Sequence, residues 1–129
     1  MLKITVNADC GTASKKLLLR DLNIAFARAD VEGILDKFTD DIRWQIIGEA
    51  DLRGKPAMRE ALDAMKNAVA SELVIHSIIT HGHEGAVNGV ITMEQGESVA
   101  FFDVCQFASS ASKKIKSMKS YAVEIKTED

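Results

Sequence analysis

The second half of the chain is divided into four apolar segments by short turns, and this pattern restricts the folds open to it. The segments span residues 73–80, 86–93, 98–107 and 115–125. Clusters of glycine, glutamine or serine separate them, and segments of this length between such breaks are typical of β-strands. Because the connections are too short for crossovers, we expect consecutive strands to pair antiparallel as a meander.

The first half predicts three helices. Apolar residues recur at three- and four-residue steps in 15–29, 31–38 and 56–69, which is the spacing of an amphipathic helix. The expected N-caps are Thr12 or Ser14 for the first helix and Asp30 for the second, while Pro56 suits the first turn of the third. We expect Asp40 and Asp41 to end the second helix.

One strand is expected between the second and third helices. Residues 42–46 alternate apolar with polar side chains, which predicts a half-buried strand with Trp44 facing inward. Residues 48–54 then form a polar loop. With most strands following the helices, the fold class is α+β, with the helices on one face of the sheet. A length of 129 residues and 47% hydrophobic content fit a single globular domain over 1–129.

Charge and cysteine content limit the partners. The net charge of −3 does not provide the positive field that nucleic-acid binding requires, so no nucleic acid is expected. We read the lysines at 113–116 as a solvated strand edge. No stretch approaches the roughly 20 apolar residues of a membrane span, and the first residues lack the apolar core of a signal peptide. We therefore expect a cytoplasmic protein in which Cys10 and Cys105 are reduced.

Several segments together resemble the nuclear transport factor 2-like (NTF2-like) superfamily and its SnoaL-like branch. They are Phe38–Trp44, Gly48, Leu52–Met58, Ser98–Phe107 and Lys114–Met118. The resemblance implies a cone-shaped, cystatin-like fold in which three N-terminal helices pack on a strongly curved, mostly antiparallel sheet and enclose a pocket. Members of this superfamily include isomerases, cyclases, dehydratases, epoxide hydrolases and domains without catalysis.

Asp103 is the main catalytic candidate. It lies in an apolar strand and shares a face with Phe101, Cys105 and Phe107. Burial would raise its pKa and leave a neutral acid that can donate a hydrogen bond. By resemblance, it falls where ketosteroid isomerase keeps a protonated aspartic acid that stabilises an oxyanion. The alternative is a carboxylate that serves only the structure.

The resemblance to ketosteroid isomerase does not extend to the rest of its machinery. Its general-base aspartate would align with Ile46 and its oxyanion tyrosine with Leu22, and neither residue can transfer a proton. Steroid isomerisation by the usual mechanism is therefore not expected. We predict instead an apolar ligand site lined by Leu22, Phe26, Trp44, Ile46, Met58, Phe101, Cys105 and Met118.

The histidines carry a weaker hypothesis. His81 is a secondary acid or base candidate at the pocket rim, and its alternative role is a solvated turn residue. His81 and His83 alternate by one residue, but no complete ligand set surrounds them, so neither a metal nor another cofactor is predicted. Cys105 is expected to be an inert buried thiol, because no basic residue adjoins it in sequence.

The last strand suggests that the protein forms an oligomer. Simple alternation groups Tyr121 with Ile115, whereas the register implied by the resemblance turns Met118 and Ser120 into the pocket. Both arrangements are possible if one face of the strand lines the pocket and a partner subunit covers the opposite face. We therefore expect a homodimer.

Two functions from different classes remain open at the level of sequence. In the first, the protein binds a small apolar or aromatic molecule, and Asp103 serves a cofactor-independent isomerase or lyase. In the second, it is a non-catalytic ligand-binding or dimerisation domain. A second ionisable group beside Asp103 would favour the first reading.

Overall fold

The computed structural model describes residues 1–126 and contains three helices and a seven-stranded sheet. The helices are α1 (Ser14–Ala27), α2 (Val31–Leu35) and α3 (Lys55–Met65). The strands are β1 (Lys3–Val6), β2 (Phe38–Ile46), β3 (Ala50–Arg53), β4 (Ala70–His81), β5 (Glu84–Met93), β6 (Ser98–Phe107) and β7 (Ile115–Ile125). No helix in the described part of the chain is long and apolar enough to cross a membrane.

The strands form one mixed sheet in the order β1-β4-β5-β6-β7-β2-β3. The meander from β4 to β7 is antiparallel throughout, as the short turns predicted. Two pairings are parallel, β1 with β4 and β2 with β7. The α+β class and the mostly antiparallel curved sheet are therefore confirmed, although the sheet does not close on itself.

Two edge strands were not predicted. Residues 3–6 form β1 beside β4, and residues 50–53, expected as loop, form β3 beside β2. Both alternate apolar with polar side chains, but at four residues they have the minimum length at which that pattern indicates a strand. The polar character of β3 suits an exposed edge, where Asp51 accepts hydrogen bonds from the Arg43 guanidinium, the shorter one at 2.8 Å.

The helix ends confirm two expectations and correct two. Asp30 caps α2, because its Oδ1 accepts a hydrogen bond from the Gly33 amide at 3.1 Å. Pro56 lies in the first turn of α3. Neither Thr12 nor Ser14 caps α1; the N-cap position is Ala13, which provides no side-chain bond. Helix α2 ends at Leu35, so Asp40 and Asp41 belong to β2 instead of ending the helix.

The lysine-rich segment does not lie at a sheet edge. Strand β7 lies between β6 and β2, in the interior of the sheet. The Lys114 amino group donates to the backbone carbonyl of Asp36, and Lys15 donates to the Gly82 carbonyl at 2.7 Å. The strand-edge interpretation was therefore wrong, because β7 is an interior strand and Lys114 links the segment before it to the end of α2.

A bulge at Lys116 fixes which side chains of β7 face inward. Gln106 pairs with Ser117 while Phe107 pairs with Ile115, so β7 has one extra residue. Beyond the bulge, Met118 and Ser120 lie opposite Cys105 and Asp103 of β6. Paired residues share a face, so Met118 and Ser120 point inward, toward the helices.

The same register places an apolar group on the outer face of the sheet. Tyr121 lies opposite Phe102, and their ring centroids are 6.1 Å apart. The exposed fractions are 41% for Tyr121, 44% for Phe102 and 67% for Val123. We call Phe102, Tyr121, Val123 and Ile125 the outer apolar patch.

The core fills the space between the inner face of the sheet and the helices. Helix α1 packs on β4 and β5, and α3 packs on β2 and β3. The largest fully buried side chains of the core are Leu19, Leu22, Ile34, Phe38, Ile42, Met58, Leu73, Ile75, Val87, Phe107, Ile115 and Met118.

Gly89 allows β4 and Phe101 to approach β5 closely. A β-carbon at this position would lie 2.1 Å from the Val74 carbonyl oxygen and 2.9 Å from Cζ of Phe101. The neighbouring β4 has a bulge between Ile75 and Ser77, and bulges increase local bending and twist.

We therefore predict that Gly89→Ala destabilises the fold by at least about 2 kcal/mol, because backbone atoms must move to admit the methyl group. Urea unfolding provides the measurement. Asn88→Ala, on the same strand with its side chain on the outer face, is the control and should change the free energy of unfolding by less than about 0.5 kcal/mol. Equal stability of the Gly89→Ala variant and the wild type would show that the close approach of β4 and Phe101 to β5 does not require glycine.

Candidate functional site

Asp103 is an acid placed among apolar side chains. It has 6% exposure and, with Asn23, is one of two buried polar residues in the described part of the chain. Strand β6 turns it to the inner face, where its cross-strand neighbours are Val87 of β5 and Ser120 of β7. Its position combines a desolvated carboxyl group with a single hydroxyl neighbour.

Burial raises the pKa of Asp103 from an ordinary value of 3.8 to about 6, and the hydrogen bond with Ser120 opposes this shift only in part. Within residues 1–126, no lysine, arginine or histidine forms a salt bridge with it. Without a cation to favour the carboxylate, desolvation dominates. The group therefore changes protonation close to neutral pH.

Ser120 connects Asp103 to Trp44. The Trp44 indole Nε1 donates to Ser120 Oγ at 2.9 Å. Strand β2 positions the indole because it runs parallel to β7, with Trp44 beside Met118 and Ile46 beside Ser120. A hydroxyl that accepts from an indole still has a proton to donate, so Ser120 can hydrogen-bond to Trp44 and Asp103 at once.

Phe26 extends this series of contacts to α1. Its ring centroid is 5.5 Å from that of Trp44, with the planes tilted by 51°. Trp44 is 5% exposed and faces inward as predicted, whereas Phe26 is half-buried. The aromatic pair therefore lies between the Asp103 environment and the surface of the protein.

A small cavity begins on the far side of Phe26. It has a volume of about 190 Å³ and lies where the C-terminal ends of α1 and α3 meet the end of β5. Its lining residues are Phe26, Ala29, Val31, Ile34, Leu62, Met65, Lys66, Ala68, Ile91 and Met93. Asp103 does not line this cavity, so Phe26 is the residue that relates the two.

The structure brings most of the predicted lining residues together as packed side chains. Phe101, Cys105 and Met118 lie with Asp103 on the inner face. Leu22, Met58 and Cys105 are 0% exposed, and Met118 is 1% exposed. Ile46 is half-buried beside Ser120. Phe26 alone among the predicted set also lines the cavity of 190 Å³, and the ligand-binding role of the set stays a prediction.

His81 is not brought to Asp103. It ends β4 opposite Glu84, which in turn pairs with Gln106 on the outer face of β6. These residues line a hollow of about 420 Å³ whose six lining residues are all exposed. In residues 1–126, no three histidine, cysteine, aspartate or glutamate side chains are grouped as possible metal ligands.

The surroundings of Cys105 make its thiol unreactive. Burial, followed by the neighbouring Asp103 carboxylate, raises the pKa of its thiol. Since the thiolate is the reactive form, this environment suppresses nucleophilic chemistry.

Asn23 and much of the cavity lining were not predicted from the sequence. Asn23 is buried on α1, and its Nδ2 donates to the Leu19 carbonyl at 2.9 Å. The available signal was a polar residue on the apolar face of α1, one turn before Phe26. Leu62 and Met65 also stood on a predicted helix face, but only the tertiary structure shows that they border open space with Met93.

Comparison with known proteins agrees with this architecture. The SnoaL-like domain model matches residues 19–118. No curated protein matches the chain. Among solved structures, an NTF2-like protein of unknown function from Burkholderia xenovorans has a TM-score of 0.74 at 14% identity, covering 94% of this chain and 91% of its own.

Two further structures have names that mention an activity. A putative ketosteroid isomerase from Kribbella flavida has a TM-score of 0.72 at 11% identity, covering 90% of this chain and 82% of its own. An epoxide hydrolase described as LEH-like, from M. tuberculosis, has a TM-score of 0.71 at 16% identity, covering 87% and 84%. Identities this low support the shared fold alone. Because the domain model spans residues 19–118, the chain belongs to the SnoaL-like family.

Proposed function

We propose that this protein binds a small, largely apolar molecule and that Asp103 is the polar anchor of the site. The observation that carries the proposal is the buried Asp103 carboxyl, which Ser120 and Trp44 connect to Phe26 at the cavity wall. Small-molecule sites typically combine an apolar lining with a few convergent polar groups. The ligand enters through the cavity and reaches Asp103 when Phe26 and Trp44, which separate the two, move aside.

The protonation state of Asp103 defines the ligand chemistry. A neutral acid donates a hydrogen bond to a carbonyl or enolate oxygen, whereas a carboxylate repels such oxygens. A pKa of about 6 makes the neutral form dominant below that pH. The proposed ligand class is therefore apolar or aromatic molecules that carry a carbonyl group.

Cofactor-independent isomerase or lyase activity is the second candidate. A pKa of about 6 favours it, because a group that titrates near neutral pH can both accept and return a proton. Ser120 is the side-chain hydrogen-bond partner found for Asp103 in the described residues, and His81 lies elsewhere. Binding without catalysis is therefore the primary proposal. Leu22 and Ile46 argue against the usual steroid isomerase mechanism.

We also propose a homodimer formed through the outer apolar patch. A two-fold axis would place Phe102 and Tyr121 against their counterparts in an isologous contact. The half-exposed aromatic pair is the kind of side chain enriched in interfaces. A cytoplasmic location, and the absence of nucleic-acid partners, stay predictions.

Carboxyl-carbon NMR titration should give Asp103 a midpoint well above 3.8, near 6. A folded-state pKa above the unfolded one means that the native state holds the proton more tightly. Stability should therefore fall by up to about 3 kcal/mol as pH rises from 4 through 6. Asp103→Asn should remove this fall, whereas Asp41→Asn, at an exposed site, should retain it. A midpoint at or below 3.8 would establish a structural carboxylate.

Binding of acetophenone should depend on a donor at position 103, because its apolar ring suits the site and its ketone accepts a hydrogen bond. Asp103→Leu should weaken binding about fivefold, as expected for one lost hydrogen bond, while Asp103→Asn retains an N–H donor and much of the affinity. Fluorescence of Trp44, the single tryptophan, reports binding. Wild-type affinity should decline above pH 6, and that of Asp103→Asn should not. Equal affinities for all three proteins would refute the anchoring role.

Light scattering at micromolar concentration should give the mass of a dimer for the wild type. Phe102→Lys should shift it toward monomer, because the ammonium group would be buried in the contact. Val69→Lys changes another half-exposed apolar residue, just before β4, and should leave the dimer intact. A wild-type monomer would rule out the proposed assembly.

A further inference from the structure

The cavity between the helix ends and β5 has a markedly uneven chemical lining. Nine of its ten lining residues are apolar, and Lys66 is the only ionisable one. Lys66 follows the last residue of α3 and is exposed. Within residues 1–126, its amino group forms no salt bridge. An unpaired cation therefore borders an otherwise apolar space.

A second cation lies on the same side of the molecule. Arg28 lines a neighbouring hollow of about 260 Å³ that shares Ala29, Lys66 and Ala68 with the first. Glu94 is the only acidic residue that lines this hollow. Arg28 is exposed and forms no salt bridge within the part of the chain that the structure describes. Two cations, Arg28 and Lys66, and one acid, Glu94, therefore line the hollow beside the cavity, and a second neighbouring hollow adds Glu97.

The size and depth of the cavity restrict where a charge can lie. A volume of about 190 Å³ is below the roughly 300–1,000 Å³ of sites for drug-sized ligands, so a short alkyl chain or one ring fits. A carboxylate on that ligand cannot enter the apolar interior without losing its hydration. It can remain at the rim, where it keeps water on one side and meets the lysine on the other.

We propose that this cavity binds small organic carboxylates, with the apolar body against Phe26, Leu62 and Ile91 and the carboxylate paired with Lys66. The inference rests on the proposed function, since it uses the same cavity, and it adds the charge class of the ligand. Apolar burial supplies most of the affinity, at roughly 25 cal/mol per Å² removed from water. Lys66 supplies the preference for anions over neutral and cationic analogues.

Octanoate, octan-1-ol and octylammonium are the probes, titrated into isotopically labelled protein at pH 7 in low salt. Amide shifts of Phe26, Leu62 and Ile91 report occupancy of the cavity. Lys66→Gln should weaken octanoate about two- to fivefold, the range of a solvent-exposed ion pair, and should not weaken octan-1-ol. Lys119→Gln, which removes a lysine from β7, should change neither affinity. Added salt should lower the octanoate affinity of the wild type toward that of Lys66→Gln.

The outcomes separate this inference from the proposed function. Binding of octan-1-ol with no effect of Lys66→Gln on octanoate would overturn the anion preference and leave apolar binding intact. A lysine that only offsets the partial negative charge at the end of α3 would lower thermal stability on substitution and leave the affinities unchanged, which also overturns it. If none of the three probes shifts the cavity amides, or if the same shifts persist in Leu62→Trp, which fills the cavity, both proposals fail.

Discussion

The register between β6 and β7 is the constraint on which the site depends. One extra residue at Lys116 sets Ser120 opposite Asp103, Met118 opposite Cys105 and Tyr121 opposite Phe102. Because side chains alternate between faces, a shift by one residue would turn the serine outward and the tyrosine into the core. The bulge thus decides which side chains can meet Asp103 and, at the same time, which apolar groups remain on the outer face.

The energetic consequence is concentrated at Asp103. A pKa raised from 3.8 to about 6 corresponds to about 3 kcal/mol between its protonation states. The exposed ion pairs, such as that between Arg59 and Glu32, are screened by water and contribute little to stability. Burial of Asp103 therefore destabilises the folded protein when its carboxyl group is ionised. Such an arrangement fits a group whose neutral form is useful, because a purely structural position is filled at lower cost by an apolar or amide side chain.

The sequence predicted the repetitive parts of the fold well, because they leave local patterns. Strands β6 and β7 have the predicted bounds, and the Asp30 cap depends on residues three positions apart. Strand β1 pairs with a distant segment, whereas β3 forms a hairpin with the preceding β2. Both alternate apolar with polar side chains, but four residues is the shortest length at which that pattern indicates a strand. The direction of Tyr121 was ambiguous for a related reason. A bulge is a property of two paired strands, and neither sequence alone contains it.

The candidate site was predictable in its chemistry and not in its shape. The apolar neighbours of Asp103 follow from alternation along β6, but Ser120 faces it from β7 and Trp44 of β2 bonds to that serine. The cavity does not adjoin Asp103. Phe26 packs on Trp44 and also lines the cavity. The position of the cavity depends on how three helices pack on a curved sheet. No single segment of the sequence determines that packing.

The position of Phe26 has a consequence for any ligand. A molecule that fills only the outer cavity contacts Phe26, Leu62 and Ile91 and gains apolar burial without reaching Asp103. To reach the acid, it must also displace Phe26 from Trp44, and such an aromatic contact is worth about 0.5–1.5 kcal/mol beyond its buried area. A hydrogen bond to neutral Asp103 returns a similar amount. Deep binding, as proposed, must in addition open the Trp44–Ser120 hydrogen bond, so it would compete with shallow binding only while Asp103 is neutral. Rising pH would then move a carbonyl ligand outward from Asp103 toward the cavity rim, even while the apolar contacts that hold it in the protein persist.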